Sequence, residues 1–177
     1  MGRGNVFLVG MMGAGKTTLG RALAQRLGLD FVDTDKVLVE RTGVPVATVF
    51  EIEGEEGFRR REATILAELA AGDGRVIATG GGAILAAENR AVMRANGTVV
   101  YLRAKLESLW ERTRHDATRP LLATPDPRAT IARLLEQRDP LYQDAAHLVV
   151  DTGSQSAATL VGRVVAALRD HAAGARA

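Results

Sequence analysis

The sequence predicts a single α/β domain built on a five-stranded parallel sheet flanked by helices. Three observations lead there. Short runs rich in β-branched residues alternate with longer segments of helical period, the signature of repeated strand-helix-strand units. A glycine-rich loop stands between the first such run and the first helical segment, at the carboxyl edge where sheets of this kind gather their ligands. The length of 177 residues, 46% of them hydrophobic and 25% charged, suits one core that needs no covalent staple.

The elements follow in order. Val6-Phe7-Leu8-Val9 reads as the first strand, and a helix from Thr17 to Leu27 places Leu19, Leu23 and Leu27 on one face, with Gly28 as its stop signal. Phe31-Val32, Val76-Ile77-Ala78, Val99-Val100-Tyr101-Leu102 and Leu148-Val149-Val150 supply the other four strands. Two segments interrupt the alternation. Residues 36–72 are helical with no strand between, and residues 115–127 carry three prolines in a polar, irregular stretch. Both read as insertions into one domain spanning 1–177, and the Ala-rich end, residues 172–177, is expected to fray.

Composition narrows the chemistry. With no Cys in the chain, disulfides, thiolate metal sites and cysteine nucleophiles drop out, and a reducing compartment is the expected setting. The 23 Lys and Arg nearly balance 21 Asp and Glu, which gives a nucleic-acid surface little to work with. Four Phe, two Tyr and one Trp offer no stacking platform for bases. Met1-Gly2-Arg3-Gly4-Asn5-Val6 lacks both the apolar run of an export signal and the Ser or Thr of a myristoylation site. No apolar stretch approaches the ~20 residues of a membrane helix. A cytoplasmic, soluble protein is expected, working without membrane or nucleic acid.

Gly10-Met11-Met12-Gly13-Ala14-Gly15-Lys16-Thr17 matches G-x-x-x-x-G-K-[ST] between a predicted strand and a predicted helix, the context that motif requires. Successive backbone N–H groups can turn toward one anion, the helix N-terminus adds its dipole, and Lys16 adds a point charge. Thr17 is the expected direct ligand of Mg²⁺. Asp33-Thr34-Asp35 ends the second strand, and residues two apart on extended chain point the same way, so both carboxylates could face one pocket. Alternatively, Asp35 or Thr34 simply caps the helix beginning near Lys36. Gly80-Gly81-Gly82 follows the third strand, where its N–H groups could donate to an anion and its bareness let a ring lie close; a plain strand-to-helix turn is the alternative. No acidic residue ends that strand, so the water-mediated metal contact falls to Asp33. Among the arginines, Arg59 has Glu62 three residues on, close enough to steer it. Arg119 stands in the proline stretch, and Arg138 lies near the end of the helix before the last strand. Spacing alone cannot distinguish these from surface charges.

Taken together, the loop from Gly10 to Thr17, Asp33-Thr34-Asp35, Phe58-Arg59, Gly80-Gly81-Gly82, Arg119-Pro120-Leu121-Leu122 and Arg138 with Leu141-Tyr142 resemble the shikimate kinase pattern across most of the chain. The resemblance implies a P-loop fold like that of nucleoside monophosphate kinases, with residues 36–72 as the substrate-binding helical insertion and 113–127 as a mobile lid. It implies transfer of the γ-phosphate of ATP to the 3-hydroxyl of shikimate, with Mg²⁺, on the route to chorismate and the aromatic amino acids, in a monomer. By that similarity Gly13, Ala14, Gly15, Lys16, Thr17, Thr18, Arg112 and Arg119 bind the nucleotide. Asp35, Arg59, Gly80, Gly81, Gly82 and Arg138 bind shikimate, the two arginines clamping its carboxylate and Asp35 meeting its hydroxyls. Lys16, Asp35 and Arg119 carry the catalysis, and Arg112 stacks on adenine. The loop after the last strand, Asp151 to Ser156, shows no signature and is left unassigned. A kinase for gluconate or a nucleoside monophosphate is the alternative enzyme, and a nucleotide-binding regulator the alternative outside catalysis.

Overall fold

The fold is described from a computed structural model, over residues 4–175. Five strands, β1 (Asn5–Val9), β2 (Asp30–Asp33), β3 (Arg75–Ala78), β4 (Gly97–Ala104) and β5 (Leu148–Thr152), form one sheet. Their order is β2-β3-β1-β4-β5, and every pairing is parallel. All five residues of central β1 are buried, whereas edge strand β5 alternates exposed and buried positions. That difference follows from position, since helices cover both faces of an inner strand but neighbours flank an edge on one side only.

Seven helices carry the chain between strands: α1 (Lys16–Leu27), α2 (Thr34–Thr42), α3 (Val46–Ala70), α4 (Ala87–Asn96), α5 (Leu106–Thr113), α6 (Pro127–Ala145) and α7 (Ala157–Gly174). Helix α1 buries Leu19 and Leu23 against the sheet and packs on α7. The main core joins Phe7, Leu8, Leu23, Leu66, Ile77, Met93 and Leu102, all 1% exposed or less. A second, smaller cluster of Leu38, Val49, Phe58 and Ile65 holds α2 to α3, so these two helices share an apolar cluster apart from the main core.

Helix α2 begins before residue 36, where the insertion was expected to start. Asp33 already caps α2 at Thr34, accepting from the N–H groups of Asp35 and Lys36, and a cap of this kind fixes where the helix begins. Helix α3 is broken at Gly54, whose φ of 69° and ψ of −179° lie where only glycine is at ease. The break sets Phe50 and Phe58, one on each side, with ring centroids 4.5 Å apart. Between α5 and α6 runs the expected lid, irregular but for a 3₁₀ turn at Pro120–Leu122. The Ala-rich end departs from expectation, because α7 continues to Gly174; the final two residues, and Met1 to Arg3 of the amino-terminal stretch, lie outside the described range. Among the described residues no helix is long and apolar enough to cross a membrane.

Candidate active site

The phosphate-binding loop joins β1 to α1 at the carboxyl edge of the sheet. Gly10, Gly13 and Gly15 all have positive φ (148°, 80° and 93°), which turns the loop's N–H groups inward. The loop is also tightly boxed: a Cβ on Gly10 would stand 2.7 Å from the Leu102 carbonyl, and one on Gly13 2.7 Å from Thr113. Lys16 Nζ donates to the carbonyls of Gly10 (2.7 Å) and Met11 (2.9 Å). Desolvation is the largest cause that lowers its pKa to about 8, and its charged neighbours are Asp35, Arg119, Asp33 and Arg138. Four residues drawn from three separate stretches of sequence therefore converge on one ammonium.

Asp33 has two separate tasks. Its Oδ2 accepts from Thr17 Oγ1 at 2.7 Å, while its Oδ1 accepts from Asp35 N at 2.9 Å to cap α2. The capping alternative, which gave that task to Asp35 or Thr34, is corrected: Asp33 is the cap, because the helix begins at Thr34. The two-apart rule that placed both carboxylates together also needs correction. The strand ends at Asp33 and Asp35 lies in the first turn of α2, so a helical turn, not extended pleating, brings Asp35 to the cleft. Burial raises the Asp35 pKa, and the Asp33 charge raises it further.

The cleft of about 540 Å³ is lined by Asp35, Arg59, Glu62, Gly80, Gly81, Gly82, Arg119 and Arg138, with apolar walls from Phe50, Phe58 and Leu121. Arg59 donates to Glu62 (3.0 Å) and Glu55 (3.3 Å) and lies over the Phe58 ring, as the spacing of Arg59 and Glu62 suggested. Among the described residues two buried guanidinium nitrogens have no partner, Arg59 Nε and Arg138 Nη1. Buried guanidinium nitrogens are rarely left so, and an anionic ligand between them would satisfy both. Of the three glycines, Gly80 gives its N–H to Thr34 Oγ1 at 3.2 Å, which withdraws it from the donors expected for an anion. It still borders the cleft, a Cβ there lying 3.3 Å from Asp35.

Arg112 sits in the last turn of α5 and reaches Gly13 O at 3.1 Å and Gly153 O at 3.4 Å. It thereby ties the phosphate loop to the segment after β5 that the sequence left unassigned. Thr18 is exposed in the first turn of α1 beside Thr17. Arg119 caps the lid's 3₁₀ turn and is held through Nε by Asp116 at 2.9 Å. Asp116 and Phe50 escaped the sequence reading. The three-residue spacing of Asp116 and Arg119 was the available signal for one, while the break at Gly54 disguised the other.

A family model described as shikimate kinase matches residues 12–169. A shikimate kinase of Nitrosospira multiformis is 59% identical over 153 residues, covering 86% of this chain and 78% of the relative. One of Chromobacterium violaceum is 54% identical, covering 94% and 91%. Among solved structures, shikimate kinase from Acinetobacter baumannii in complex with shikimate superposes with a TM-score of 0.93 at 43% identity, covering 95% of this chain and 94% of that one. A gluconokinase from Sinorhizobium meliloti, at 21% identity and a TM-score of 0.64, shares the fold alone.

Proposed function

Since this chain belongs to the shikimate kinase family, we propose the following division of labour for an ATP-dependent phosphotransferase whose acceptor is shikimate. The nucleotide phosphates lie on the N–H groups of Gly13 to Thr18, with Lys16 leaving the Gly10 and Met11 carbonyls to meet the β- and γ-phosphates. Arg112, already braced between Gly13 and Gly153, covers the adenine. Thr17 Oγ1 and the Asp33 carboxylate, 2.7 Å apart, are hard oxygen donors that suit Mg²⁺, Thr17 directly and Asp33 through water. When bound, Mg²⁺ would neutralise the charge that develops on the phosphate oxygens.

Shikimate occupies the opposite side. Arg59 and Arg138 pair with its carboxylate in forked geometry that lysine cannot copy, and Asp35 accepts from its hydroxyls to aim the 3-hydroxyl at the γ-phosphorus. Phosphoryl transfer passes through a loose transition state with charge on the equatorial oxygens, so Lys16 and Arg119 act by electrostatics and Asp35 chiefly by orientation. The lid, residues 113–127, brings Arg119 over the phosphates and excludes the water that would otherwise waste ATP. A cytoplasmic monomer is the setting we propose, and the near balance of 23 basic and 21 acidic residues supports small-molecule partners over nucleic acid.

One observation carries the reading: Arg59 Nε and Arg138 Nη1, buried and unpartnered, face the same cleft as the phosphate loop. The experiment is ADP release measured with shikimate, gluconate and a set of nucleoside monophosphates. Release with shikimate alone is expected. Release with another acceptor, or silence throughout, contradicts the assignment.

A further inference from the structure

Tyr142 takes no part in the steps above, yet it is 0% exposed and among the largest fully buried side chains. It lies in α6 four residues after Arg138, so the two side chains share a helical face. Its ring stacks on Tyr101 with centroids 4.8 Å apart, and its hydroxyl donates to the Gly81 carbonyl. Burial pushes its pKa up to about 12 despite the Arg138 cation beside it, so the phenol keeps its proton and stays a donor.

The consequence falls on the peptide joining Gly81 to Gly82. That peptide is trans, like the others described, so its C=O and N–H point in opposite directions. With the carbonyl drawn toward α6, the Gly82 N–H faces away from α6. Gly82 borders Arg59 so closely that a Cβ there would overlap the guanidinium. Among the described residues the Gly82 N–H meets no acceptor. Arg138 rests on the same turn, its Nη1 3.4 Å from where a Gly81 Cβ would stand. One hydroxyl therefore sets both a free amide and the surface that a carboxylate-binding guanidinium leans on.

We propose that Tyr142 is a positioning residue for the acceptor's carboxylate, holding the Gly81–Gly82 peptide so that the Gly82 N–H and Arg138 meet the acid together. The inference rests on the reading of this cleft as a shikimate site. It makes the phenol's contribution specific to the acid and indifferent to the nucleotide.

Tyr142→Phe keeps the ring and its stack but removes the hydroxyl. Calorimetric titration of the variant should show shikimate affinity about five- to tenfold weaker, the scale of one net hydrogen bond, with affinity for an ATP analogue unchanged. Affinity for the neutral amide of shikimate should also be unchanged. Equal shikimate affinity in variant and parent, or a parallel loss for nucleotide, would overturn the proposal. In the unaltered protein, shikimate but not its amide should move the Gly82 amide proton resonance downfield, a readout that does not depend on the variant folding; no movement would also overturn it. If the unaltered protein bound no shikimate at all, the function itself would fail, which is a different result from either.

Discussion

Lys16 and Arg138 show how single residues divide the two halves of the cleft. The Lys16 ammonium is held by two loop carbonyls at 2.7 and 2.9 Å, contacts that the proposed mechanism has it leave for the phosphates. Lys16→Ala should therefore lower turnover by about 10² to 10³, the range for removing one preorganised donor at developing charge. Its melting temperature should stay near that of the parent, and near-normal turnover would remove the loop lysine from the mechanism. The same lysine predicts a proton uptake. With its pKa lowered to about 8, it is mostly neutral at pH 9, and an arriving triphosphate favours the charged form. Nucleotide binding at pH 9 should then take up close to one proton, seen as a binding heat that varies with the buffer's ionisation enthalpy. The uptake should vanish in Lys16→Ala; a heat independent of buffer contradicts the assignment. Arg138→Lys should weaken shikimate binding by roughly 1.5 to 3 kcal/mol, the size of one charge-assisted contact, and leave nucleotide affinity alone in paired titrations.

The turn after β3 concentrates the site's steric demands at the level of elements. Gly82→Ala should fold, because the atoms its Cβ would overlap belong to the mobile end of Arg59. In the proposed site that end pairs with the substrate's carboxylate, so KM for shikimate should rise by about tenfold or more while KM for ATP holds, by the same contact energies. An unchanged shikimate KM would show that Arg59 is not fixed where it stands. Strands and helices were legible in the sequence because buried parallel strands are continuous apolar runs and α1 keeps a clean period with Gly28 as its stop. Helix α3 was less so. Its break at Gly54 interrupts the period, and nothing in spacing says that Phe50 and Phe58 will meet across it. Asp33 was legible as a site residue but not in its second task, since a cap and a site carboxylate require the same side chain and only coordinates show both at once.

At the scale of the whole molecule, the sheet order brings distant glycines together. Strands β1 and β3 are neighbours in the sheet, so the loop after one and the triplet after the other share an edge, and a Gly81 Cβ would lie 3.3 Å from Met12 N. The motifs were readable one by one, and their order along the chain resembled a family. Which donors remain free was not readable, because Gly80's bond to Thr34 and Tyr142's to Gly81 are tertiary contacts between residues 46 and 61 positions apart. The central claim is that a triphosphate and a ring carboxylate are held face to face, with an in-line path between them. A crystal structure with shikimate and a non-hydrolysable ATP analogue tests it most directly. The account predicts the shikimate carboxylate between Arg59 and Arg138 and the 3-hydroxyl about 3 to 3.5 Å from the γ-phosphorus; a carboxylate bound elsewhere, or a hydroxyl turned away from the phosphate, would contradict it.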